Sequence, residues 1–157
     1  MKRFDGPGFS FALPEELIGG KVDHTNPEFE WMGIWRGWLG DAPMCVICSE
    51  RAREGRHLRA FTADLAKWFI EPQGDGGRID VPGARGARRI DGLYEMELGL
   101  AADWIEWMTV VVAADGDRRL ITLTIRTRPG DELAALHDEL ASSLRLSHGG
   151  SAARPTT

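Results

Sequence analysis

The sequence has 157 residues, with 19 Lys and Arg against 24 Asp and Glu, a net charge of −5 at pH 7. That length suits one domain able to bury about 70% of the surface its unfolded chain exposes. With 43% apolar and 27% charged residues, it is not a disordered, collagenous or wholly coiled-coil chain.

The acidic surplus argues against a general binder of phosphate backbones, so nucleic acid is not an expected partner. Arg51, Arg53, Arg56 and Arg59 form one basic cluster, and Arg85, Arg88 and Arg89 another. Acidic groups interleave with the first and no aromatic pattern accompanies the second, which reads as solvated surface. No stretch approaches the roughly 18–20 apolar residues that cross a bilayer. Lys2 and Arg3 open the chain, but Asp5, Gly6, Pro7 and Gly8 interrupt it before a signal-peptide core can form. The expectation is a cytoplasmic protein without a membrane span.

In chain order, Phe9, Phe11 and Leu13 alternate with Ser10 and Ala12 as in a half-buried strand, which Pro14 stops. Residues 15–26 read as a polar connection with one helical turn at 15–18. A second strand is expected over 29–39 and a third over 44–51, joined as a hairpin at Gly40-Asp41. Over 57–70 the period changes. Leu58, Phe61, Leu65, Trp68 and Phe69 make one helical stripe, with Pro72 as the stop. Residues 73–77 read as a flexible, glycine-rich loop without a phosphate-binding pattern.

Short strand character at 78–81 is followed by a strand over 88–98, where Ile90, Tyr94, Met96 and Leu98 share a side. Strands over 104–113 and 119–127 flank Asp115-Gly116-Asp117, a strong hairpin signal. Ile121, Leu123 and Ile125 face inward there. Pro129 to Glu132 opens a helix striped by Leu133, Leu136, Leu140 and Leu144. Short turns between consecutive strands require antiparallel pairing. The predicted class is α+β, an antiparallel sheet of about six to seven strands flanked by two main helices. One domain is expected over 1–146, with a flexible tail over 147–157.

The opening Gly8-Phe9-Ser10-Phe11-Ala12-Leu13-Pro14 resembles the start of the PsbP-like fold, which the Ran-nucleotide-release factor also adopts. The close is similar too: Val110-Val111-Val112, the Asp115-Gly116 turn, Leu120–Ile125, then an acidic helix ending Ser142-Ser143-Leu144-Arg145-Leu146. The resemblance covers most of the chain through element order, and its motifs are structural. It implies an antiparallel sheet flanked by helices and a non-enzymatic role, since members bind a GTPase, stabilise a photosystem or act as chaperones. It transfers no functional residue, and such an analogy sets only a prior. Lipoproteins of this fold carry a lipidated Cys after a signal, and no such motif opens this sequence.

Cys45-Val46-Ile47-Cys48 has the spacing of a redox pair, but its flanks read as strand, where residues three apart point to opposite faces. Structural thiols are the first reading, a redox pair the second and a metal site the third, since no second ligand pair follows. His24, His57, His137 and His148 are scattered, and no nucleophile elbow accompanies them. His137, spaced with Leu133 and Leu140, reads as packing. Glu95 with Glu97, and Asp103 with Glu106, read as solvent-facing acids. No catalytic residue, cofactor or metal is expected.

Six tryptophans are many for this length. Trp31, Trp35, Trp38, Trp104 and Trp107 fall on predicted strands. Trp31 and Trp35 share a face with Gly33 between them, while Trp38 and one of Trp104 and Trp107 point the other way. Two short helices cannot cover both faces, so these five are the candidate partner-binding residues. The expected function is non-enzymatic: a binding, adaptor or chaperone-like protein with an aromatic face or groove for a protein or peptide. A homodimer closed through that face, or a small enzyme with an unrecognised pocket, are the alternatives.

Overall fold

A computed structural model describes residues 1–97 and 103–147 of the chain. The elements run β1 (Lys2–Gly6), β2 (Phe9–Leu13), β3 (Ile18–Lys21), β4 (Trp31–Leu39), β5 (Ala42–Ala52), α1 (Leu58–Ala66), β6 (Glu71–Arg78) and β7 (Ala87–Glu97). Then follow β8 (Asp103–Asp115), β9 (Arg119–Thr127), α2 (Asp131–Ala141) and β10 (Arg145–Leu146). The class is α+β, as the alternating patterns and short turns require.

A seven-stranded sheet has the order β3-β4-β5-β9-β8-β7-β6, and a three-stranded sheet the order β1-β2-β10. Every pairing is antiparallel. The β8–β9 hairpin closes where the sequence places it. Arg118 N–H donates to the Asp115 carbonyl at 3.2 Å, and Gly116 supplies the positive φ of 57° that an L side chain resists.

Strand alternation divides the core between the two faces of the large sheet. One face carries Trp35, Val46, Cys48, Val111, Leu123 and Ile125, packed under Phe9, Phe11 and Leu13 of the small sheet and Leu140 of α2. The other carries Ile90, Val110, Val112 and Leu120 beneath Phe61 of α1 and Phe69. The molecule therefore has three layers, with the small sheet and α2 on one side and α1 alone on the other.

Several expectations are corrected. The helix predicted over 57–70 ends at Ala66, because Ile70 N–H already donates to the Leu93 carbonyl and draws the chain into β6. Trp68 thus leaves the helical stripe and is 70% exposed, while Phe69 stays buried. Pro72 lies inside β6 rather than at a helix stop, and the loop predicted over 73–77 belongs to the same strand, with a register shift between Gln73 and Gly77. β6 ends at Arg78, so the strand predicted over 78–81 is only its tail. β1 is absent from the sequence reading because Lys2, Arg3 and Asp5 give it no apolar alternation. The turn predicted near Glu15 exists, but β3 begins at Ile18 where the connection was expected to continue. Ser147, assigned to the tail, donates its N–H to the Gly8 carbonyl at 2.9 Å; 148–157 and Leu98 lie outside the described residues.

Candidate functional site

The five tryptophans do not form one surface. Trp35 is only 3% exposed. It meets Phe11 edge-on at 5.4 Å between ring centroids and Phe4 at 4.8 Å. Trp31 is half-buried against the same core and meets Phe9 edge-on at 5.2 Å. The space over Gly33 is filled by those two indoles. A Cβ built there would lie 2.6 Å from Trp35 Cη2 and 2.7 Å from Trp31 Cη2. Gly33→Ala should therefore destabilise by about 1–3 kcal/mol through overpacking, with shifted tryptophan emission, as urea unfolding followed by fluorescence would show. Trp107 is half-buried on β8. Trp104 pairs with Met96 in the ladder, and its side chain lies outside the described residues, as do those of Glu97 and Asp103.

Trp38 is different. It stands 63% exposed on the face of β4 shared with Met32 and Ile34, the face that carries α1. That helix packs mainly over β6, β7 and β8 and reaches β9 and β5 only through Phe61, against Leu120 and Arg51, so among the described residues no helix packs comparably on β4, β5 or β9 there. A groove of about 230 Å³ runs along the helix edge, floored by Ile47, Met108, Thr122 and Thr124 and walled by Trp68 and Tyr94. Ile34 and Ile47 are cross-strand partners and both are half-buried, so the apolar strip continues from the groove onto β4. The Thr122 hydroxyl is buried without a hydrogen-bond partner among the described residues. Trp68 escaped the sequence reading as a site residue because helical spacing placed it in a stripe.

The cysteines behave as strand geometry requires. Cys48 is buried in the inner core and Cys45 is half-buried on the α1 face, both free thiols. Burial, reinforced by the charge of Glu50, pushes the Cys48 thiol well above its ordinary range, which makes it a poor nucleophile.

His137 is packed, as its spacing suggests, and it also organises a polar network at the α2–sheet interface. It is 1% exposed. Its Nδ1 lies 2.8 Å from Thr109 Oγ1 and its Nε2 2.7 Å from Thr127 Oγ1. The Thr127 hydroxyl donates to the Arg128 carbonyl at 2.9 Å, so it accepts from Nε2–H. Thr109 has one hydrogen and two acceptors, His137 Nδ1 and Asp91 Oδ1 at 2.5 Å. Asp91 and Asp138 are both gripped by Arg89. Burial lowers the His137 pKa from 6.5 to about 4, against the pull of Asp91. The ring is neutral at pH 7.

Of the acids expected to face solvent, Glu106 is buried and paired with Arg126 at 2.6 Å, which corrects that expectation. Burial raises its carboxyl, opposed by Arg126. Glu95 is exposed, as expected. Among the described residues no group of three His, Cys, Asp or Glu side chains could hold a metal ion, and no helix is long and apolar enough to cross a membrane.

No family model matches the chain, and no curated protein matches it. The PsbP-like resemblance therefore rests on the quoted motifs alone. Among solved structures, the chain is similar to LpqN of Mycobacterium tuberculosis, described as involved in cell envelope biogenesis. The identity is 12% and the TM-score 0.49, over 93% of this chain and 91% of that one.

Proposed function

We propose that the protein is a non-enzymatic adaptor or chaperone-like binder that docks an amphipathic segment of a partner protein on the open half of its α1 face. One observation carries this reading: a single nine-residue helix packs mainly over three strands of that face, and among the described residues no helix packs comparably on β4, β5 or β9 there. An apolar helical stripe from a partner would complete the layer. Trp68 walls the groove, and Trp38 stands exposed beyond Arg36 on the same face of β4; tryptophan is the residue type that dominates binding hot spots. Trp31 and Trp35 serve instead to hold the small sheet in place.

A photo-crosslinking amino acid at Ile47 tests this in the cells that make the protein. The expected result is a discrete adduct with another protein, lost when Ile34→Asp is added and kept when the exposed Arg145→Gln is added. Adducts only with a second copy of this chain would replace the proposal by a homodimer. Adducts that survive Ile34→Asp, or none at all, would remove it.

A further inference from the structure

The two arginine clusters that read as ordinary surface in the sequence converge in the fold. Arg53, just after β5, and Arg59 from α1 meet Arg85, just before β7, and Arg88 near its start, joined by Arg78 at the end of β6. They line a cleft of about 770 Å³ together with Leu58, Ile79, Ala87 and Ala114, and among the described residues Asp80 is its only acidic lining residue. Among the described residues, five arginines and one carboxylate line this cleft in a chain of net charge −5.

Like charges are close neighbours in this arrangement. Arg78 and Arg88 sit directly opposite each other in the β6–β7 ladder, and like charges in that register repel. Arg88 Nε is buried with no hydrogen-bond partner among the described residues. Arg53 is fixed in place by donating to the Gly116 carbonyl at 2.7 Å and the Arg56 carbonyl at 2.8 Å. Its contact with the fully exposed Asp117 is long, at 3.9 Å. A ligand with several negative charges would relieve the Arg78–Arg88 repulsion, and planar guanidinium forks match phosphoryl oxygens.

We propose that this cleft binds a small organic phosphate carrying at least two phosphoryl charges. The volume lies within the range of small-molecule sites and exceeds what one inorganic ion fills. The cleft meets the N-terminal end of α1 at Leu58 and Arg59, the groove its C-terminal end at Leu65, and the site stands independently of the partner-docking proposal.

Calorimetric titration with pyrophosphate, chosen as the simplest such anion, tests it. The expected dissociation constant at low salt is about 0.1 mM or tighter, weakening steeply as salt screens the cleft. Arg78→Gln/Arg88→Gln should weaken binding by at least about tenfold while leaving the ligand-free melting temperature unchanged or raised. Arg85→Gln, exposed and therefore safe for the fold, should weaken it several-fold, and Arg145→Gln should leave it unchanged. Vesicles of phosphatidylglycerol should capture no more protein than vesicles of phosphatidylcholine. Absence of pyrophosphate binding, equal binding by the Arg85→Gln variant, or binding to the anionic vesicles alone would overturn the proposal.

Discussion

Arg119→Ala should cost about 3–5 kcal/mol of folding stability, the scale of leaving buried charges without their partner. Arg119 is 4% exposed. It forms a buried ion pair with Glu50, donates from Nε to Asp115 Oδ2 at 3.0 Å, and reaches the carbonyls of Pro7 and Gly8 at 2.6 and 3.0 Å. One side chain thus joins β5, β8 and the β1–β2 turn. The loss should depend on pH. Burial raises the Glu50 carboxyl above 4.5, and Arg119 opposes that rise. Without the guanidinium, folded Glu50 keeps a proton that the unfolded chain releases, so stability falls as pH rises above about 4.5. Urea unfolding at pH 4, 5.5 and 7 should show the gap from wild type widening with pH, and Glu50→Gln should restore part of it at pH 7. A gap independent of pH would refute this account.

His137→Gln should cost about 2–4 kcal/mol at pH 7, because it disturbs the buried contacts of the imidazole with the Thr109 and Thr127 hydroxyls. The wild-type protein carries an acid liability at the same place. With the folded pKa depressed to about 4 against 6.5 in the unfolded chain, the unfolded state binds the extra proton first. Stability is full above pH 6.5 and declines toward pH 4, by on the order of 3 kcal/mol from this group. The variant lacks that decline, so the two melting-temperature curves should converge on acidification. Parallel curves from pH 7 to 4 would show that the ring does not titrate as described.

Much of the architecture is legible in the chain because it rests on local periodicity. The Asp115-Gly116 hairpin, the inward Ile121, Leu123 and Ile125, and Leu133, Leu136 and Leu140 of α2 each need only nearest neighbours to be read, whereas Leu144, predicted in the same stripe, lies beyond the helix end at Ala141. What escaped depends on distant partners. β6, with Pro72 and three glycines, has no strand signature of its own and is held by pairing with β7. β1 has too little alternation to read, yet its Phe4 joins the aromatic cluster at Trp35. The site was legible in chemistry but not in placement. The sequence marks the tryptophans as unusual and reads the arginine clusters as ordinary surface, while only the folded structure shows the small sheet packed on Trp35, Trp38 exposed, and Arg53, Arg78 and Arg88 gathered in one cleft.

The large sheet ends on two unlike borders, and this bears on self-association. Along β6, Pro72 offers no N–H and the irregularity between Gln73 and Gly77 breaks the row of donors and acceptors. A second molecule therefore finds no regular template for zippering onto that margin. β3, at the opposite margin, is four residues long and bears two glycines, too brief for a lasting intermolecular ribbon. Both rims discourage runaway fibril growth, so a partner has reason to approach face-on rather than edge-on.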